Sequence, residues 1–117
     1  GCLVFFNKRI NMSLDVSLYE NNDCVYDSNI THNLTKMAHE SGLYYALWRP
    51  EEINAFTAAD LILILKNGIE NLKSDPEKFR QYNASNGWGK YENLLSFTEQ
   101  YLVACRNNPN AKIEISR

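Results

Sequence analysis

His32 lies in the polar run Asn29-Ile30-Thr31-His32-Asn33, and the second histidine of the chain, His39, follows seven residues later. A polar run at the entrance to a helix combines free backbone amides with a titratable ring. That combination suits an anion or a polar ligand and lets His32 act as an acid, a base or a ligand contact. Thr31 and Asn33 add a hydroxyl and a carboxamide. The plainer reading is that Thr31, His32 and Asn33 solvate the outer face while Asn29 caps the helix. A seven-residue histidine spacing is not the His-Glu-x-x-His pattern. Adding Asp27 and Cys24 yields no recognised ligand geometry, so neither a metal nor a cofactor is expected. Nothing in the spacing requires Cys24 and His32 to pair as thiol and imidazole, and no catalytic residue is assigned.

The run Asn83-Ala84-Ser85-Asn86-Gly87-Trp88-Gly89 carries the other chemistry. Its glycines flank a large aromatic, and amide and hydroxyl side chains precede it. Such a loop suits a sugar or base ring held against Trp88, with Asn86 bonding the ring's edge. The glycine spacing matches neither a P-loop nor a dinucleotide fingerprint. A connector whose indole plugs the core is the plainer alternative. His32 and Asn33 are expected beside the 86–89 loop, so that both segments line one cleft. Trp48 and Arg49, with Tyr44 and Tyr45, form a second candidate set suited either to an exposed protein-binding patch, because Tyr and Trp bury area while keeping a polar handle, or equally to internal packing.

These residues need a scaffold, and its size fits one domain of 117 residues with 44% hydrophobic residues. Twelve basic against fourteen acidic residues give a net charge of -2, without a run of more than two Lys or Arg, which speaks against a nucleic-acid partner. The odd count of cysteines (Cys2, Cys24 and Cys105) speaks against a disulfide framework. The apolar run at 61–65 is far too short to span a bilayer, and the start lacks the order of a signal peptide, so a cytoplasmic, non-membrane protein is expected. Residues 1–11 read as a leader, a cloning scar or an accessory strand, and 12–117 as a single domain.

Along the chain, Leu14, Val16 and Leu18 alternate with Asp15, Ser17 and Tyr19, the period of a half-buried strand. The turn at 20–23 leads to a short return strand at Cys24-Val25-Tyr26. Asp27-Ser28-Asn29 reads as a set of helix caps before a helix with Ile30, Leu34, Met37 and Ala38 on one face and Gly42 as its stop. A further turn covers 43–47. Thr57 or Asn54 starts a helix facing the core with Ala58, Leu61, Ile62, Leu65, Ile69 and Leu72. Leu63 and Ile64 lie off that face, which suggests a central position, and Gly68 suggests a close approach. Asp75-Pro76 begins another helix. The last helix, 90–106, presents Tyr91, Leu94, Leu95, Thr98, Leu102 and Cys105, and Ala111, Ile113 and Ile115 form a final strand. The expected fold is α+β: a small, largely antiparallel sheet covered on one face by three or four helices, with the two terminal strands as neighbours.

From residue 12 onward the chain resembles a family of small bacterial and phage-associated proteins with no established activity. The resemblance rests on Ser13-Leu14-Asp15-Val16-Ser17-Leu18-Tyr19, Asn29-Ile30-Thr31-His32-Asn33-Leu34, Leu47-Trp48-Arg49-Pro50-Glu51-Glu52 and Asn86-Gly87-Trp88-Gly89-Lys90-Tyr91-Glu92. It implies a mobile-element origin and transfers no catalytic role. The expected function is a non-enzymatic protein-interaction or binding module, a monomer or homodimer whose partner is another protein or a small polar ligand. The alternative is a small-molecule binder or hydrolase using a polar cleft around His32 and Asn33.

Overall fold

Alternation at the start of the chain decides the first layer. The computed structural model describes residues 13–117; the reading of 1–11 as a leader or accessory strand lies outside them. Strand β1 (Ser13–Glu20) turns Leu14, Val16 and Leu18 fully inward. Asn21 and Asn22 then adopt positive φ angles of 51° and 71°. Asn tolerates this left-handed region better than most residues, and two successive positive angles give a tight hairpin whose twist matches that of the strands. The chain returns as β2 (Asp23–Thr31), with Leu14 opposite Ile30 and Val16 opposite Ser28.

This return strand corrects the expected boundary. Asp27, Ser28 and Asn29 are paired with β1 and do not cap a helix. Their polar side chains suit caps locally, but the eight-residue β1 alongside, with its alternating buried face, offers a ladder of backbone partners, and that tertiary pairing overrides the local preference. The cap falls to Thr31, whose Oγ1 accepts from the Asn33 N–H at the start of a short 3₁₀ turn, His32–Leu34.

Helix α1 (Thr35–Ser41) follows, and Gly42 ends it at φ 85°. Helix α2 (Tyr44–Trp48) is the expected further turn, followed by a 3₁₀ turn, Pro50–Ile53. Helix α3 (Ala58–Ser74) starts at Thr57, with Asp60 accepting from the Phe56 and Thr57 amides. Those two amide bonds hold the Asp60 carboxyl below its usual range. Leu61, Leu65, Ile69 and Leu72 are buried, whereas Leu63 is exposed, so α3 packs on one side and is not enclosed. Gly68 is the close approach: a Cβ there would collide with the side chain of Leu43.

Asp75 caps α4 (Pro76–Arg80), and α5 (Tyr91–Asn107) packs its apolar face against α3 and β2. Strand β3 (Lys112–Ser116) pairs antiparallel with β1, giving the order β2-β1-β3. Among the described residues the fold is thus a compact α+β arrangement of a three-stranded antiparallel sheet against several helices. The terminal strands are neighbours, as expected from their matching alternation. Cys105 is buried and free, which excludes a Cys24–Cys105 bridge. Cys24 itself is disulfide-bonded, so the odd count did not rule out a bridge. No helix of the described residues is long and apolar enough to cross a membrane.

Candidate functional site

The segment 31–33 leaves β2 at the edge of the sheet and divides its polar groups between two regions. His32 Nδ1 accepts a hydrogen bond of 2.9 Å from Trp48 Nε1. An indole N–H only donates, so Nδ1 must present a lone pair and the neutral ring carries its proton on Nε2. Asn33 turns the other way, and its Nδ2 donates 2.8 Å to the Trp88 carbonyl oxygen. One residue therefore supports the interior and its neighbour supports the 83–89 loop.

That loop is closed on itself. The Ala84 N–H reaches the Gly89 carbonyl at 2.9 Å, and Gly87 N–H bonds back to Ala84. Asn86 Oδ1 accepts from the Trp88 N–H at 2.9 Å. Gly89 has φ 130°, and a Cβ on it would lie 3.2 Å from Thr31 Cγ2 and 3.3 Å from Leu34 Cγ. Backbone freedom and a missing side chain are both needed there. Trp88 is nevertheless 72% exposed, so its indole does not plug the core. Its backbone is held while its ring faces solvent.

Beside the ring runs an open cleft of about 390 Å³. The end of β2 supplies Ser28, Asn29, Ile30 and Thr31, and the loop supplies Gly87, Trp88 and Gly89. Helix α5 contributes Asn93, Ser96, Phe97 and Gln100. On a helix, positions 93, 96, 97 and 100 share one face, adjacent to the stripe that faces the core. None of the eleven lining residues carries an ionisable side chain. Asn93 Oδ1 caps the helix at the Lys90 N–H, and Gln100 Nε2 lies 3.3 Å from Ser96 Oγ.

No family model, curated protein or solved structure matches this chain.

The expected site residues separate accordingly. Thr31 and Trp88 line the cleft. Asn33 joins the two segments from outside it, and the Asn86 side chain supports Trp88 and does not line the cleft. His32 is bonded to Trp48 and also stands outside the lining. Tyr45 of the second set is 45% exposed, but Trp48 is only 2% exposed, so of the two readings it takes internal packing. Its indole stacks on Tyr44 at 5.7 Å, and Tyr44 stacks on His39 at 3.8 Å. Arg49 Nε donates to Tyr44 Oη at 2.9 Å, and its Nη1 pairs with Glu52. This second set is a packed aromatic column with a charged rim.

Sequence reasoning missed Ser28, Asn29, Asn93, Ser96, Phe97 and Gln100 as neighbours. The uncharged polar residues at 93, 96 and 100, spaced three and four apart on one helix, were a legible signal. Their meeting with β2 was not, because it depends on how α5 crosses the sheet.

A larger depression of about 1110 Å³ covers the outer face of the sheet, lined by residues including Asp15, Asp27, Lys112 and Glu114. Asp15 and Asp27 are already engaged in interactions, so this face is not a vacant acidic site. Burial pushes the Cys105 thiol up to about 12, which removes it as a nucleophile near neutral pH. Among the described residues no cluster of His, Cys, Asp and Glu could hold a metal ion.

Proposed function

We propose that this domain is a binding module without chemistry of its own, and that it takes a neutral polar group into the cleft between β2, α5 and the Trp88 loop. The observation that carries this reading is an exposed indole on a hydrogen-bonded loop, set beside a lining free of charge. A large aromatic held in water costs solvation of apolar surface, and fixing its backbone in advance lowers the entropy lost on binding. A lining without carboxylate, imidazole, amine or thiol offers neither a general acid–base pair nor an activated nucleophile. The hydrolase reading around His32 and Asn33 finds less support, because Trp48 engages His32 Nδ1 and the ring is not part of the cleft.

Amide-resolved NMR tests the proposal. Uncharged saccharides, nucleosides and blocked peptides are titrated into labelled protein. Binding that shifts the signals of residues 28–31, 87–89 and 93–100 supports the module. Binding that maps only to the aromatic column around Trp48, or to the outer face of the sheet, overturns it.

A further inference from the structure

We infer that the group taken by this cleft is a neutral saccharide, with one pyranose ring lying on the indole of Trp88; the inference rests on the binding-module reading above. The cleft's chemistry selects the class. Six of its residues, Ser28, Asn29, Thr31, Asn93, Ser96 and Gln100, carry hydroxyl or carboxamide groups. Each such side chain has both donor and acceptor capacity, which is also the property of a sugar hydroxyl. Phosphates and carboxylates only accept and favour a cationic partner, while ammonium groups favour a carboxylate. The lining offers neither sign of charge.

The arrangement of polar and apolar walls narrows the choice further. Trp88 is the one exposed ring of the lining, since Phe97, its second aromatic, is buried at 6% exposure, and the wall built by α5 is otherwise polar at Asn93, Ser96 and Gln100. A nucleobase has two apolar faces and is best held between two flat surfaces. A pyranose has an apolar patch of C–H groups and a rim of hydroxyls. Its C–H groups meet the negative face of the indole as weak donors, while the rim meets the amides and hydroxyls directly or through water. The volume of about 390 Å³ lies within the range of small-ligand sites. Asn33 and Asn86 keep the platform in place from behind, without entering the lining.

The test titrates labelled full-length protein separately with maltotriose, cellotriose and chitotriose, and with adenosine and an uncharged blocked pentapeptide as comparators. At least one trisaccharide is expected to shift the amides of residues 28–31, 87–89 and 93–100. Trp88→Ala, an exposed position, should weaken that binding by about tenfold or more, the consequence of losing a stacked ring. Ser96→Asp should weaken it as well, and Leu63→Ala, exposed on α3 outside the cleft, should not. The inference is overturned if no trisaccharide shifts these amides, or if Trp88→Ala leaves the binding unchanged. Should adenosine or the peptide shift them while the trisaccharides do not, the saccharide class falls and the binding module stands. Silence from every probe removes both.

Discussion

The two tryptophans sit in opposite circumstances although both are tied to one short segment. Trp48 is buried, and its indole N–H is satisfied by His32. Trp88 exposes its ring, and only its backbone is held, through Asn33 and Asn86. Adjacent side chains at 32 and 33 thus serve stability on one side and presentation on the other. An exposed aromatic is not evidence of looseness when its main chain is bonded. An aromatic run in a sequence is not evidence of a surface when its indole finds an internal acceptor.

Truncating each ring gives the largest separation. Trp48→Ala should destabilise the fold by about 3–5 kcal/mol, through lost burial and the cavity left behind. Trp88→Ala should change stability by no more than about 0.5 kcal/mol, as for an ordinary surface position. Urea unfolding of both variants measures the difference, and equal losses would erase the contrast.

His32→Ala comes next. It leaves the Trp48 indole N–H buried without its acceptor, at a cost of about 1–3 kcal/mol. The double variant His32→Ala with Trp48→Phe should lose less than the sum of the single changes, because the phenyl ring leaves no donor to satisfy. Additive losses would show that the 2.9 Å bond contributes little.

Gly89→Ala tests the loop side. The φ of 130° and the close approach of Thr31 and Leu34 should together cost about 1–3 kcal/mol. The loss should be accompanied by changed NMR signals at Thr31 and Trp88. Gly87→Ala meets no neighbouring atoms and carries only the strain of its φ of 80°, so it should cost less. The reverse order would place the loop's support elsewhere.

Asn33→Ala should cost a modest amount, about 0.5–1.5 kcal/mol for one intramolecular hydrogen bond. Its sharper readout is faster amide exchange in residues 84–89 with exchange around Trp48 unchanged. Faster exchange around both rings would mean that the two regions are one cooperative unit.

Much of the fold was legible because periodicity reports directly on burial. The alternation at Leu14, Val16 and Leu18 and the spacing of Leu61, Leu65, Ile69 and Leu72 each imply a face that must be covered. Asp75-Pro76 and Gly42 marked helix ends, since their preferences are local. The second strand was misread beyond Tyr26 for the same reason: Asp27-Ser28-Asn29 has strong local cap chemistry, and only the pairing with β1 shows that the ladder wins. The loop around Trp88 was visible from its glycines; of the two residues expected beside it, Asn33 bonds to it, but neither Asn33 nor His32 lines the cleft.

By itself, then, the sequence determined an α+β domain with terminal strands of matching alternation, three principal helical faces and a polar glycine loop around Trp88. Those features depend on residue type and spacing within one segment. Tertiary structure alone decided that His32 turns inward to Trp48, that Trp48 is core and Trp88 surface, and that Asn93, Ser96 and Gln100 face the end of β2. Each of those outcomes depends on the direction in which one packed element crosses another. A single segment's pattern fixes which face is buried, and it carries no information about which distant polar groups will meet at the rim of that face.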